Sequence, residues 1–219
     1  MNNLTLISFP ICPYVQSSVI LLNYTQLEYN IKYIDITNKP DWFLEISPTG
    51  KVPVLQVDNE VIFESEVINE FLNDYSNAGL LPSDALEKAK YRAWVLYWKE
   101  VLQDMTKLFF AGSEDEFYLA KNNFFDKLKS LEENISSKRY FDEKGFGMVD
   151  VYFGVIFYRL SKFDSLWEDN TFDELPKISK WASNLVSIQH IIDSVPEWFE
   201  DKFKWFLHKK WSYVLELKN

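Results

Sequence analysis

The segment pattern of the chain changes near residue 77, and this change restricts the fold to a two-part architecture. Before it, short β-rich runs alternate with helical periods, and after it only helical periods occur. The segment 76–84 (SNAGLLPSD) has the Gly, Pro, Ser and Asp content that is typical of a linker. Charge changes there too, since residues 1–77 hold 3 basic and 10 acidic residues while 78–219 hold 20 and 23. We therefore predict one domain at residues 1–77 and a second at residues 85–219.

The first part of the chain predicts a small mixed α/β sheet of four strands. A helical segment between the first two strands implies that they pair in parallel. The turn at Asp58-Asn59 predicts an antiparallel hairpin. A loop or short helix is expected around Asp41-Trp42-Phe43, and Ser65 is the expected N-cap of the last helix. The predicted strands are Leu4–Phe9, Ile31–Ile36, Val52–Val57 and Val61–Glu64, and the predicted helices are Pro13–Tyr24 and Ser65–Tyr75.

The second part predicts an all-α domain. The segment Val149–Phe163 is apolar on nearly every face, which is typical of the buried centre of a helical bundle. Its neighbours have one apolar face each. These other predicted helices are Leu86–Phe110, Glu116–Asn134, Lys177–Leu185 and Pro196–Val214.

Composition excludes several classes of protein. The net charge of −10 argues against nucleic acid or an anionic membrane as a partner, since both need clustered positive charge. No apolar run reaches the ~18 residues of a membrane span, and the N-terminus lacks the pattern of a secretory signal. One cysteine and two histidines make an internal disulfide impossible and a Cys/His metal site improbable. We expect a cytoplasmic protein without a metal.

The single cysteine, Cys12, is the strongest candidate for chemistry. It lies between the first strand and the first helix, and Pro13 suits the first helical position. The positive end of the helix dipole favours a thiolate there, so its pKa is expected below the usual ~8.5. The alternative is a small buried apolar residue. A dithiol motif would have its second cysteine at Val15, so an external thiol must resolve any mixed disulfide on Cys12.

Four motifs give the chain a family resemblance. They occur in the order FPICPY, NKPDWF, GKVPVL and ES, at residues 9–14, 38–43, 50–55 and 64–65. In this order and spacing the chain resembles the cytosolic glutathione transferases, most closely the omega-type class, which has a cysteine in its active site. The helical part is similar in pattern and length, most clearly at residues 150–154 (DVYFG).

The resemblance implies a thioredoxin-like first domain that binds glutathione as a cosubstrate. Pro53 corresponds to the family's cis-proline, which would present the backbone of Val52 to the cysteinyl part of the tripeptide. Ser65 and backbone N–H groups would bind the γ-glutamyl carboxylate, and Glu64 its ammonium group. Lys39 would bind the glycyl carboxylate. The remaining implied glutathione contacts are Tyr14 and Ile36.

In the helical domain the resemblance implies a structural role for Asp150. The family usually has Ser or Thr three residues earlier as a helix cap, and here that residue is Gly147. Trp94, Trp98 and Trp181 are expected in the core. A C-terminal helix covers the active site in this family. One aromatic residue near Trp198, Trp205 and Trp211 is therefore expected to line the acceptor site, whereas His190 and His208 suggest no site.

The favoured function is that of a glutathione-dependent thiol transferase or reductase with Cys12 as nucleophile. Such an enzyme removes glutathione from disulfides and reduces small acceptors such as dehydroascorbate. One alternative is conjugation of glutathione to electrophiles, and another is a non-catalytic regulatory or scaffold protein of the same fold. The family also implies a homodimer.

Overall fold

The structure is a computed structural model, and it describes residues 2–135, 139–163 and 170–217. The chain forms two compact units. The first comprises residues 1–79 together with 193–199, and the second comprises 80–192 and 200–219. Within the described residues, no helix combines the length and the apolar character needed to cross a membrane.

The first unit contains a four-stranded mixed sheet with the strand order β2-β1-β3-β4. β1 and β2 are parallel, and β3 and β4 form an antiparallel hairpin, as the sequence predicts. β1 also pairs antiparallel with β3. The segment around Asp41 forms a short helix, α2. The elements are β1 (Leu4–Ser8), α1 (Pro13–Thr25), β2 (Asn30–Tyr33), α2 (Asp41–Ile46), β3 (Val54–Val57), β4 (Glu60–Phe63) and α3 (Ser65–Ser76).

Alternation along the strands gives the sheet an apolar core on both faces. On one face Ile7, Ile34 and Val54 pack with Phe43 of α2, and all four side chains are buried. The neighbouring residues Leu6 and Leu55 are also completely buried, and their alternation places them on the opposite face. The sheet is thus a rigid base for the loops at its ends.

The second unit is helical. The helix α6 lies at its centre, since all 13 of its residues are buried. On α4, Trp98 is fully buried and packs against Tyr152 of α6, and Trp181 is fully buried on α7. The aromatic face of α4 therefore packs inside this unit. Its helices are α4 (Ala85–Phe110), α5 (Glu114–Glu132), α6 (Met148–Leu160), α7 (Pro176–Val186), α8 (Gln189–Ile192) and α9 (Phe199–Lys209), with 3₁₀ turns at Asn170–Glu174 and Tyr213–Leu215.

Two helices in the C-terminal part differ from the prediction. The predicted helix Pro196–Val214 is shorter, since α9 covers only Phe199–Lys209. Trp211 takes a left-handed backbone conformation (φ 54°), which a continuous helix cannot contain. The four-residue helix α8 was missed, because so short an element has no clear periodicity.

The start of α6 has an unusual cap. Asp150 accepts hydrogen bonds from Gly147 N–H (2.8 Å), Phe141 N–H (2.9 Å) and Trp181 Nε1–H (2.6 Å). Burial raises the pKa of Asp150 to about 7, and the three donors oppose that rise. Glycine has no side chain, so the only half of a capping box present here is the bond from Gly147 N–H to the Asp150 carboxylate. Asp150 therefore fixes the loop before α6, which agrees with the structural role expected for it.

Candidate active site

The sheet topology brings the predicted site residues to one end of the sheet. β1 ends at Ser8, and the parallel strand β2 ends beside it at Tyr33. The antiparallel strand β3 begins at Val54, opposite Ile7, and β4 ends at Phe63, opposite Val54. The segments that follow β1, β2 and β4 and the segment that precedes β3 thus share one end. They carry Cys12, Tyr14, Ile36, Lys39, Val52, Pro53, Glu64 and Ser65.

Cys12 is the N-cap residue of α1. Its backbone is extended (φ −71°, ψ 120°), and Pro13 occupies the first turn as the sequence predicts. The Cys12 N–H donates to Phe9 O at 3.0 Å, and Cys12 O accepts from Gln16 N–H at 3.2 Å. The thiol is partly exposed, and its sulfur lies 4.0 Å from Val52 O. A partly exposed thiol at a helix N-terminus is an arrangement that favours the thiolate.

The segment beside the thiol has the predicted cis bond between Val52 and Pro53. Lys39 approaches the same segment, because its Nζ lies 3.6 Å from the position that a Cβ on Gly50 would occupy. Gly50 has a φ of +60°, a conformation that suits glycine. The ammonium group of Lys39 is thus held near the Gly50–Pro53 turn.

The junction between β4 and α3 corrects one sequence expectation. Glu64, not Ser65, is the N-cap of α3, and Ser65 is the first helical residue. The reason is that a single residue connects Phe63 of the strand to the helix, so the whole turn falls on Glu64. Its backbone adopts φ 70° and ψ 121°, which is rare for a residue with a side chain. Such backbone strain clusters at ligand sites. The Glu64 side chain is exposed, and Ser65 is buried.

Tyr14 and Ile36 complete the predicted set. Burial raises the pKa of Tyr14, and the nearby charges of Cys12 and Glu66 raise it further. The phenol therefore stays neutral and keeps its O–H donor. Ile36 is 38% exposed. It follows β2, which ends beside β1 at the end of the sheet where the other site residues lie.

A buried polar network behind the site was not predicted from sequence. Asn69 of α3 bonds to Ser17 and Ser18 of α1, and all three are completely buried. One turn from Cys12, Gln16 Nε2–H donates to Ser194 Oγ at 3.0 Å. The sequence feature that could have indicated this network is the pair Ser17 and Ser18 within the otherwise apolar run of α1. Sequence could not tell which face of α3 meets them.

Known proteins resemble the chain over different lengths. The family model described as glutathione S-transferase, N-terminal domain, matches residues 11–74. The probable glutathione S-transferase parA of Nicotiana tabacum is 26% identical over 221 residues, which cover 100% of this chain and 96% of the relative. Glutathione S-transferase omega-1 of Rattus norvegicus is 28% identical over 195 residues, which cover 85% of this chain and 80% of the relative.

Two solved structures have the same fold. Rice GST1 in complex with glutathione superposes with a TM-score of 0.82 at 23% identity, covering 95% of this chain and 97% of the other. Glutathione transferase Omega 3C from Trametes versicolor gives a TM-score of 0.80 at 21% identity, and the match covers 95% of this chain and 91% of the other.

The fold is therefore that of the glutathione transferases, with a thioredoxin-like α/β domain followed by an all-helical domain. The family model, the curated relatives and the solved structures all indicate that the chain is similar to the glutathione transferases.

Proposed function

We propose that the protein is a glutathione-dependent thiol transferase in which Cys12 is the nucleophile. The observation that carries the proposal is the position of the thiol, at the N-terminus of α1 and 4.0 Å from Val52 O in the cis-proline segment. The resemblance to omega-type enzymes supports it. So does the similarity to the glutathione transferases, whose cosubstrate is glutathione.

The proposed glutathione site uses the end of the sheet described above. The tripeptide's cysteinyl backbone pairs with Val52, which Pro53 presents beside the thiol. Ser65 and the first N–H groups of α3 bind the γ-glutamyl carboxylate, and Glu64 binds the ammonium group. Lys39 offsets the net charge of −7 on residues 1–77 and binds the glycyl carboxylate. Tyr14 and Ile36 form the rest of the lining.

The reaction proceeds as two thiol–disulfide exchanges. The Cys12 thiolate attacks the glutathione sulfur of a glutathionylated substrate, the S–S bond breaks, and the substrate thiolate leaves and takes up a proton. A second glutathione, as its thiolate, attacks the Cys12–glutathione disulfide, releases glutathione disulfide and restores the Cys12 thiolate. Val15 stands where a resolving cysteine would be, so the second step needs this external thiol.

Reduction of dehydroascorbate fits the same cycle. The acceptor takes two electrons and two protons, and two glutathione molecules are oxidised to one disulfide. The protein then returns to the starting thiol.

Conjugation to electrophiles is a second candidate because Tyr14 lies close enough to Cys12 for a charge on the thiol to raise the pKa of the phenol. A phenol O–H is the kind of donor that stabilises the glutathione thiolate for direct attack on an electrophile. Cysteine at position 12 is better suited to disulfide exchange, so we rank conjugation second.

An assay of three acceptors separates these functions. Glutathione is supplied with hydroxyethyl disulfide, dehydroascorbate or chlorodinitrobenzene under identical conditions. The proposal predicts turnover of at least one of the first two acceptors that exceeds conjugation of the third. Conjugation alone would support the second candidate and contradict the first. Glutathione binding without any turnover would indicate a scaffold protein.

The remaining parts of the proposal concern organisation. We assign glutathione binding to residues 1–77 and a second, helical domain to residues 85–219. The proposed partners are glutathione, a small or protein-bound disulfide acceptor and a second copy of the chain, without nucleic acid, membrane or metal. The proposed location is the cytoplasm, where a thiol enzyme finds reduced glutathione.

A further inference from the structure

A completely buried amide links the two helices that begin at the proposed site. Asn69 Oδ1 accepts from Ser18 Oγ at 2.7 Å, and Asn69 Nδ2–H donates to Ser17 Oγ at 3.1 Å. Ser17 Oγ–H in turn donates to Tyr14 O at 2.8 Å, within the first turns of α1. Both functional groups of the amide are therefore bonded to α1.

The link lies one turn behind each helix start. Ser17 is five residues after Cys12, and Asn69 is four residues after Ser65. At a rise of about 1.5 Å per residue, the link is about 6–8 Å along each helix from the N-terminus that carries the site residue. Any sliding of α1 along α3 would thus change the distance between the Cys12 thiol and Ser65.

Apolar packing alone does not fix that sliding. Buried apolar side chains, such as Ile20 of α1 and Ile68 and Leu72 of α3, gain free energy from burial in many neighbouring arrangements of the two helices. A buried amide differs, because its donor and acceptor are satisfied in only one register and leaving them unpaired is costly. Single buried asparagines set register between packed helices for this reason.

We propose that Asn69 is a positioning residue that sets the register of α1 against α3 and thereby the distance between the Cys12 thiol and the γ-glutamyl site at Ser65. This inference rests on the proposed function. Glutathione disulfide has to reach both places at once, and correct alignment of the reacting sulfur is worth orders of magnitude in rate. A small alkylating reagent needs only the thiol.

Two rates measured on each variant test the inference. The first is formation of the Cys12–glutathione disulfide from glutathione disulfide, with release of one glutathione thiolate. The second is alkylation of Cys12 by iodoacetamide at the same pH. The decisive quantity is the ratio of the first rate to the second. It cancels any change in the reactivity or exposure of the thiol itself.

We expect Asn69→Leu, which keeps the volume but removes both hydrogen bonds, to lower this ratio by about tenfold or more. Asn73→Leu is the matched control, since Asn73 is a buried asparagine one turn further along α3 whose amide bonds to its neighbour Asp74. Its ratio should stay that of the wild type. Ser17→Ala removes one of the two bonds and should lower the ratio to a smaller extent.

The outcomes separate the two proposals. An unchanged ratio in Asn69→Leu, or an equal fall in Asn73→Leu, overturns the role of Asn69. If Asn69→Leu does not fold, Ser17→Ala is the deciding variant. An unchanged ratio of the two rates in Ser17→Ala then overturns the role of Asn69. Failure of the wild-type protein to react with glutathione disulfide, while iodoacetamide reacts, contradicts the proposed function and removes the basis of this one.

Discussion

Tyr91 supplies the hydroxyl that Gly147 lacks at the start of α6. A Cβ on Gly147 would lie 2.0 Å from Tyr91 Oη, so the phenol occupies the space of a capping side chain. The backbone N–H of Val149, two residues after the cap, bonds to the Tyr91 oxygen. That is the bond a Ser or Thr cap would make. Burial first, and the charge of Asp150 second, raise the pKa of Tyr91.

Removing this hydroxyl should destabilise the fold. We expect Tyr91→Phe to lower the free energy of unfolding by about 1–2 kcal/mol, because the buried Val149 N–H loses its acceptor. Tyr118→Phe is the control, since Tyr118 is 46% exposed and should change stability by less than about 0.5 kcal/mol. Urea unfolding measures both. Equal stabilities of Tyr91→Phe and wild type would disprove the capping role.

Ser65 allows a second test at single-residue scale. Ser65→Ala should weaken glutathione binding by about 1–2 kcal/mol through loss of a hydrogen bond to a carboxylate. Ser76→Ala is the control on the same helix, because its hydroxyl bonds to Leu72 O at the opposite end. Calorimetry gives both affinities, and an affinity for Ser65→Ala equal to that of the wild type would remove Ser65 from the site.

Some features of single residues could be predicted from the sequence, and others could not. Cys12 and the cis bond at Pro53 were predictable, because each lies in a motif of fixed spacing. Capping by Ser65 was predicted wrongly, because sequence does not reveal that one residue makes the whole turn from β4 to α3. The bonds of Asn69 were also beyond prediction, since they depend on which faces of two helices meet.

At the scale of elements, one buried carboxylate joins α4 to α5. Asp104 of α4 accepts from Lys107 of its own helix at 2.8 Å and from Lys127 of α5 at 2.5 Å. Its side chain is only 4% exposed. Burial alone would raise the pKa of Asp104, but the hydrogen bonds from the two lysines outweigh burial and hold it below its usual value.

This arrangement predicts a pH dependence of stability. Because the pKa of Asp104 is lower in the folded chain than in the unfolded one, its contribution is complete above pH ~4 and is lost as the pH falls further. At pH 7, Asp104→Asn should lower the free energy of unfolding by about 1–3 kcal/mol. The difference in the free energy of unfolding between Asp104→Asn and wild type should become smaller towards pH 3.

A surface pair provides the comparison. Asp126 and Lys129 of α5 are 3.2 Å apart but more than half exposed. Asp126→Asn should therefore change stability by less than about 1 kcal/mol at either pH. If the difference in the free energy of unfolding between Asp104→Asn and wild type does not depend on pH, the lowered pKa of Asp104 is contradicted.

At the scale of the whole molecule, the predicted fold class is confirmed, since a mixed four-stranded sheet is followed by a helical domain. The sheet was predictable from the order of the segments and from the hairpin. The central helix was predictable from the apolar character of residues 149–163. The grouping of residues 193–199 with the first unit was not predictable, because it depends on contacts distant in sequence, such as that of Trp198 with Tyr33.

Assembly remains a prediction at this scale. The family resemblance implies a homodimer, although the aromatic face of α4 is buried within its own unit. Leu86 (64%) and Leu96 (54%) of α4 are exposed apolar side chains that a partner can cover. Light scattering at micromolar concentration should give about twice the 26.0 kDa of one chain. A mass equal to one chain would refute the dimer.

The central claim is that the Cys12 thiolate carries out disulfide exchange while other groups hold glutathione. The direct measurement is the turnover of hydroxyethyl disulfide with glutathione by wild type and Cys12→Ala, with glutathione affinity determined on the same samples. We predict that the variant's turnover falls to the uncatalysed rate while most of its affinity remains, because Val52, Lys39, Glu64 and Ser65 are intact. Turnover by Cys12→Ala comparable to that of the wild type would contradict the account.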